Sequence, residues 1–206
     1  YQGSNIQPGD VMYKDQNNDG LIDEKDRTHL GSAIPKVTAG LNIGLSYKNI
    51  DLSIFFQGAY GQKIFSVLNR DIEGFYRPFN VTQRYFDNRW TGPGTSDEYP
   101  RASWDASGNN ARIASSRFLE DGSYTRLKNI RIGYKLPAAT VEKLGFSSIR
   151  IFISGSNLFT WSKYSGMDPE MTVSNNATGQ GDGAAGMDWG TYPSAKSYNM
   201  GFTFTF

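Results

Sequence analysis

The sequence predicts an all-β fold of antiparallel strands with one apolar and one polar face, the pattern of a transmembrane β-barrel. Residues 197–206 alternate up to the last position, with aromatic and Met side chains on one face and small or polar ones on the other. Short and long connections alternate between the predicted strands, as in barrels with short periplasmic turns and long extracellular loops. Aromatic residues make up 14% of the chain and fall at both strand ends, as in membrane-interface girdles.

Residues 1–37 are predicted to form an extracellular loop that contains a calcium-type loop at 15–26. The spacing D-x-N-x-D-G-x-I-D-x-x-D supplies oxygen ligands, and Gly20 permits the sharp turn. The predicted ligands are Asp15, Asn17, Asp19, the Leu21 carbonyl, Asp23 and Asp26. Flanking amphipathic helices are missing, so the expected Ca²⁺ is structural and pins the loop. The alternative is a solvated acidic turn without metal.

A first barrel hairpin is predicted over 38–60, with a short turn at Lys48-Asn49-Ile50. The following residues 61–123 are predicted to form a long extracellular loop with two short helices. Ile64, Phe65, Leu68 and Ile72 have the helical spacing of the first. Asn80 is expected to cap the second, which would carry Arg84, Phe86 and Trp90.

A second hairpin is predicted over 124–161, with a short helix in the turn at 137–145. Leu127 breaks the alternation, which predicts a bulge or the end of the membrane zone there. Residues 162–196 are predicted to form another extracellular loop, and 197–206 the final strand, ending at Phe206. Five strands are too few for such a barrel, so the remaining strands are expected outside this chain.

Composition excludes several kinds of function. A net charge of +1 gives no reason to expect nucleic-acid binding, and the absence of Cys excludes disulfides and thiol catalysis. Residues 181–186 match G-x-G-x-x-G, but no suitable strand and helix flank them. His29 is the only histidine and has no recognisable nucleophile. Asp168, Glu170, Asp182 and Asp188 are interpreted as loop or turn carboxylates, so no catalytic residue is predicted and the chain is not expected to be an enzyme.

Polar side chains of the strands are expected to face the barrel lumen: Asn42, Gln57, Arg131, Arg150, Asn199 and Thr203. The long loops carry Trp90, Trp104, Trp189 and Tyr192, which would either contact ligand or partner, or pack the loops together. Tyr1 is not an initiator Met and no signal peptide is visible, so any signal is expected upstream or removed.

An ordered series of segments resembles one family along nearly the whole chain. It comprises Pro8-Gly9-Asp10-Val11-Met12-Tyr13-Lys14-Asp15, Arg27-Thr28-His29-Leu30-Gly31, Pro35-Lys36, Phe55-Phe56-Gln57-Gly58, Arg89-Trp90-Thr91, Tyr99-Pro100-Arg101, Ser156-Asn157-Leu158-Phe159, Tyr164-Ser165-Gly166-Met167-Asp168-Pro169-Glu170 and Phe206. In this order they resemble the C-terminal portion of SusC/RagA-type TonB-dependent transporters of the bacterial outer membrane. Gly92-Pro93-Gly94 departs from the Pro-Glu-Asn that often follows the Trp-Thr pair in that family.

The resemblance implies a 22-stranded, plugged barrel in the bacterial cell outer membrane. It also implies a SusD-like surface lipoprotein as lid, a TonB complex acting through an N-terminal region outside this chain, and oligosaccharide or peptide cargo. The apolar face would contact outer-membrane lipid. The alternative function is a secreted calcium-stabilised β-domain, such as an adhesin or glycan-binding module, and a weaker one is a secreted hydrolase.

Overall fold

A computed structural model of the chain describes residues 6–74, 79–103, 110–111, 115–170 and 185–206. Strands predominate, and the helices are short. The strands are β1 (Val37–Tyr47), β2 (Ile50–Tyr60), β3 (Lys63–Ser66), β4 (Leu119–Asp121), β5 (Tyr124–Lys135), β6 (Ser148–Ser162), β7 (Met187–Asp188) and β8 (Ser197–Thr205). The helices are α1 (Val67–Glu73), α2 (Gln83–Asn88) and α3 (Ala138–Glu142), with 3₁₀ turns at Glu24–Asp26 and Ser116–Phe118.

The main element is a five-stranded antiparallel sheet in the order β1-β2-β5-β6-β8. Its strands have 11, 11, 12, 15 and 9 residues. A tilted strand needs about 9 to 11 residues to cross the hydrocarbon core of a membrane. The sheet is therefore tall enough to span one, and the predicted all-β, antiparallel fold class is confirmed.

A bulge interrupts the sheet where the sequence breaks its alternation. Phe55 and Phe56 on β2 face Asn129 and Leu127 on β5, so Lys128 is the extra residue. On β6, the step from Ser156 to Phe159 faces the same two β5 residues, and Asn157 between them has a positive φ of 54°. The bulge predicted at Leu127 is confirmed. Because of the extra residue, apolar side chains stay on one face of the sheet and polar side chains on the other, both before and after the bulge.

The two faces of this sheet differ throughout. Apolar residues stand opposite one another across all five strands, for example in the row Leu45, Leu52, Ile132, Ile153 and Met200. Within the described residues most of this face is uncovered, and Met200 keeps 64% of its surface exposed. At the short-turn end, Phe146 packs on Phe204 and Phe206, with ring centres 5.5 and 5.0 Å apart. In a water-soluble protein, an apolar face of this size would be buried against another part of the protein. This face therefore requires an apolar environment.

The buried core lies in the loop regions instead, around a small sheet in the order β4-β3-β7. Ile64, Val67, Tyr85 and Phe118 are buried there. The predicted helix containing Ile64 and Phe65 is wrong at its start, because both residues pair in β3 with β4. The helix begins at Val67, where the Ser66 side chain accepts a hydrogen bond from the Asn69 N–H.

The second loop helix also differs from its prediction. Thr82, rather than Asn80, caps α2 by accepting a hydrogen bond of 3.1 Å from the Tyr85 N–H. Trp90 lies beyond the helix, and its N–H donates to the Tyr99 carbonyl at 3.0 Å, next to an isolated parallel bridge between Arg89 and Tyr99. The predicted turn helix after β5 is present as α3. No helix in the described ranges is long and apolar enough to cross a membrane.

Candidate functional site

The polar face of the main sheet brings together residues from all five strands. The register places on it all six of the strand residues predicted to face a lumen: Asn42, Gln57, Arg131, Arg150, Asn199 and Thr203. Phe55 and Phe152 share this face and add apolar area to it. The face is thus polar and partly aromatic, which suits contact with a hydrated or amphipathic solute.

An ion pair crosses this face between strands that are not neighbours. Arg150 on β6 donates from Nε to Asp51 Oδ1 on β2 at 2.9 Å, and its Nη2 contacts the second carboxylate oxygen. The pair spans β5, where Gly133 lies directly beneath it. The missing side chain at Gly133 leaves room for the two-point contact.

A stacked cation lies beside this pair. The Arg131 guanidinium carbon is 3.8 Å from the centre of the Phe152 ring. Its Nε is buried and makes no hydrogen bond within the described residues. Phe152 in turn lies over Gly201 of β8, where a side chain would overlap the ring. The arrangement holds one guanidinium flat against an aromatic ring on the polar face.

The loop after β6 is fixed to the polar face by Arg126, which is only 2% exposed. Arg126 Nη1 donates to Glu170 at 2.7 Å, Nη2 contacts Asp168, and Nε donates to Thr160 at 2.9 Å. Lys128, the bulge residue, adds a 2.8 Å bond to Glu170. Because two cations and two carboxylates neutralise one another here, the loop is bound firmly to the end of the strand wall.

Asp168 also joins the two halves of this loop. Its carboxylate accepts hydrogen bonds from the backbone N–H groups of Ser194 at 2.9 Å and Glu170 at 2.8 Å. Burial raises the pKa of Asp168, but the N–H of Ser194 and the Arg126 guanidinium outweigh it, so the net pKa is lowered. The carboxylate therefore stays ionised and pins the loop at its base.

A second buried carboxylate lies in the same loop. Asp188 accepts hydrogen bonds of 2.8 Å from the N–H groups of Gly190 and Thr191, and contacts the Tyr164 hydroxyl. Burial, followed by the bond to Asp188, raises the pKa of Tyr164. The interpretation of Asp168 and Asp188 as turn residues thus agrees with their bonds to N–H groups two residues ahead, but both also hold distant side chains.

The loop core contains a polar cavity of about 200 Å³. Arg84 donates to the buried Glu73 at 2.8 Å, and this bond raises the pKa of Arg84. The Arg84 and Arg117 guanidinium groups lie 6.0 and 5.3 Å from the centre of the Tyr99 ring. Burial raises the pKa of that tyrosine. Two cations around one aromatic ring offer contacts for polar ligand groups.

The predicted calcium loop closes on itself. The Asp15 carboxylate accepts hydrogen bonds from the N–H groups of Asn18 at 2.6 Å and Gly20 at 2.8 Å, and Gly20 has a φ of +81°. The Asp26 carboxylate accepts hydrogen bonds from the N–H groups of Gln16 at 2.7 Å and Asp23 at 2.8 Å. The bond from Asp23 first, then that from Gln16, lowers the pKa of Asp26. Among the described residues no three acidic or histidine side chains form a metal-holding group, so calcium stays a prediction.

Other residues singled out in the sequence have varied positions. Trp90 packs on Gly9 and so joins two loops. Tyr192 is 87% exposed and Trp189 42% exposed. Trp104, Asp182 and all but the last two residues of the 181–186 motif lie outside the described residues. His29 is exposed. The Arg126 cluster, by contrast, is a feature that the sequence interpretation missed.

These features define the class of the protein. Antiparallel strands of spanning length, an uncovered apolar face, a polar opposite face and alternating short and long connections describe a section of a transmembrane β-barrel wall. The loops packed against the polar face at one end complete the description.

Comparison with known proteins gives the family. No family model matches the chain. TonB-dependent receptor P3 of Formosa agariphila is 33% identical over all of this chain, and receptor P26 of the same organism is 33% identical over 96% of it. TonB-dependent receptor SusC of Bacteroides thetaiotaomicron is 24% identical over 98%. The chain spans 21%, 20% and 18% of these relatives.

Solved structures show the same fold. The RagAB peptide transporter superimposes with a TM-score of 0.69 at 22% identity, covering 91% of this chain and 20% of the other. The open-open state of the RagAB peptide importer superimposes with a TM-score of 0.62 at 23% identity, covering 85% of this chain and 18% of the other. The chain belongs to the SusC/RagA-type TonB-dependent transporters, and it corresponds to about one fifth of the length of the relatives it matches.

Proposed function

We propose that this chain forms part of the wall and outer loops of a bacterial outer-membrane importer that takes up large nutrients by a TonB-dependent mechanism. The observation that carries the proposal is the 33% identity to a TonB-dependent receptor along the whole chain. The cargo class is oligosaccharide or peptide. The resemblance to the RagAB peptide transporter supports the fold of this proposal, while the cargo rests on the family resemblance.

The proposed mechanism is gated passage without bond chemistry, so the chain is not an enzyme. The apolar face contacts lipid, and the polar face lines the path of the cargo. Arg131 stacked on Phe152 offers that path a flat cationic and aromatic surface. The loop that Arg126 holds through Asp168 and Glu170 lies at the outer end of the same face.

The proposed partners are a SusD-like surface lipoprotein and the TonB complex. The lipoprotein would cover the outer loops as a lid, where Trp189 and Tyr192 are exposed. TonB would act through the N-terminal region of the full-length transporter, and would open the path by pulling on a plug. In this proposal, the described residues form part of the barrel wall, the outer loops and the surface that contacts the ligand.

We also propose that residues 15–26 bind one structural Ca²⁺ through Asp15, Asn17, Asp19, the Leu21 carbonyl, Asp23 and Asp26. An ionised carboxylate has about four lone-pair positions, so Asp15 and Asp26 can accept their N–H bonds and still ligate a cation. The closed loop supports this proposal, because its backbone already makes the turn that a calcium loop needs.

Uptake by a strain that depends on the full-length transporter tests the import function. Growth on oligosaccharide or peptide too large for porins should require both the transporter and TonB, and growth unchanged by removing either would contradict the proposal. Fractionation tests the alternative secreted β-domain. The full-length protein should need detergent for extraction and should migrate differently in gels before and after heating, whereas a secreted domain would be recovered without detergent.

A further inference from the structure

The apolar face carries a groove of about 420 Å³ between β5, β6 and β8. Most of its lining is apolar, and it includes Ile130, Ile153, Gly155, Leu158, Tyr198 and Met200. β5 and β6 lie inside the sheet, and β8 pairs with β6. The groove is therefore part of a rigid, hydrogen-bonded wall.

The lining of the groove includes one row of the sheet in which β6 has no side chain. Ile130 on β5, Gly155 on β6 and Tyr198 on β8 are direct neighbours across the strands. Gly155 has no side chain, and Leu158 from the β6 bulge lies over it. A Cβ atom added at Gly155 would lie 2.8 Å from Leu158 Cδ1. A larger side chain at this position would therefore push Leu158 outward into the groove.

The cation of Lys196 lies just beyond the groove on the same face. Lys196 precedes β8 and shares the alternation of Tyr198 and Met200, so it lies about 6.6 Å from Tyr198 along the chain. Its Nζ is 5.7 Å from the ring centre of Phe159, which faces outward with Leu127. Lys196 is exposed. A charge in this position lies at the long-loop end of the apolar face, where lipid headgroups meet the protein.

We propose that the groove and Lys196 bind one phosphate-bearing membrane lipid. One acyl chain lies in the groove against Leu158, and the lipid phosphate pairs with the Lys196 ammonium. The proposal rests on the membrane placement under the proposed function. The apolar lining fits a hydrocarbon chain by van der Waals contact, and the lysine supplies the charge that an anionic headgroup requires. One exposed lysine alone would not hold free phosphate, so the acyl chain is essential.

Native mass spectrometry of the delipidated full-length transporter tests this site, with dipalmitoyl phosphatidylglycerol as the probe. The wild type should retain one lipid after excess lipid is removed. Lys196→Gln should weaken retention about fivefold, from the loss of one interfacial charge. Gly155→Val should weaken it by at least as much, because the valine displaces Leu158 into the groove. The double variant should lose less than the product of the two effects, since both contact one molecule.

Matched variants separate this site from general lipid binding. Ala39→Val enlarges a side chain on the same face of β1, and Lys143→Gln removes an exposed lysine from the short-turn end. Both should retain lipid like the wild type. Unchanged retention in Gly155→Val and Lys196→Gln, or equal losses in the controls, would overturn the site. Displacement of the lipid by glycerol phosphate would also overturn it. Heat-modifiable migration of each variant reports the membrane barrel separately, so failure of the proposed function remains distinguishable.

Discussion

Arg150 on β6 reaches across β5 to the carboxylate of Asp51 on β2, and Gly133 lies between them. The two partners are 99 positions apart in the sequence. Their contact joins two hairpins on the polar face, which backbone pairing alone joins only through β5. A two-point guanidinium–carboxylate contact of this kind has a fixed geometry, so it depends on the free space above the glycine.

Gly133→Ala should therefore destabilise the sheet. The added methyl group would overlap the Arg150 guanidinium and lie 2.5 Å from Asp51 Oδ1. Overpacking of this kind costs about 1 to 3 kcal/mol. The measurement is the temperature at which the full-length protein loses its folded gel mobility. Gly44→Ala is the control, because it adds the same methyl group on the same face where nothing lies within 4 Å. Equal mobility curves for the two variants would contradict this interpretation.

The main sheet was predictable because two different surroundings sort its side chains at a period of two. The apolar stripe of β8 and the phase break at Leu127 were both visible in the sequence and both correspond to observed structure. Lys48, with a φ of 52°, makes the tight turn that sets the register of the first hairpin. The strong alternation of apolar and polar residues therefore made it possible to predict the main strands, their two faces and the bulge.

The small sheet was not predictable, because its strands of 4, 3 and 2 residues are too short to show a period. Its β3 pairs in parallel with β7, joining Phe65 to Met187 from a distant loop. The Arg126 cluster was also missed, because the folding of the loop after β6 brings Asp168 and Glu170 to Arg126, and no local sequence pattern shows this. The available signal was an arginine at a polar-face position near a strand end.

Tyr164→Phe tests the buried bond between Tyr164 and Asp188. The substitution keeps the ring but removes the hydroxyl donor, so among the described residues Asp188 keeps the hydrogen bonds from the N–H groups of Gly190 and Thr191. Losing a hydrogen bond to a buried carboxylate costs about 2 kcal/mol. Hydrogen exchange in peptides covering 185–194 should accelerate about 30-fold. Tyr192→Phe, on an 87% exposed side chain, should leave exchange unchanged; equal rates in the two variants would contradict the role of Tyr164.

The calcium proposal predicts a titratable heat of binding with one site per chain. Asp15→Asn and Asp26→Asn should each weaken calcium binding at least tenfold, because each removes a charged ligand from a hard cation. Glu24→Gln is the control in the same loop: Glu24 pairs with Arg27 at 3.5 Å and is not a predicted ligand, so this variant should bind calcium like the wild type. Isothermal titration of the chelator-treated full-length protein measures all three. No calcium uptake by the wild type would refute the site.

Asp168→Asn tests the attachment of the outer loop to the strand wall. Removing the charge leaves the buried Arg126 with Glu170 as its remaining carboxylate partner, so local opening should become easier by about 3 kcal/mol. Hydrogen exchange in 163–170 should then accelerate roughly 100-fold. Asp97→Asn removes an exposed carboxylate and should change little. Unchanged exchange in the Asp168 variant would show that Glu170 alone holds the loop.

The same carboxylate gives the wild type a defined pH dependence. The pKa of Asp168 is lowered in the folded protein, because the Ser194 N–H and Arg126 outweigh the effect of burial. Its contribution is therefore complete above the ordinary aspartate pKa of about 3.9 and is lost as the pH falls through the lower folded value. Loop protection, corrected for intrinsic exchange, should be constant from about pH 8 to pH 5 and should fall below about pH 4. In Asp168→Asn this acid-dependent loss should be much smaller, because the titrating group is absent; an identical pH profile would assign the loss to other carboxylates, with Glu170 the nearest.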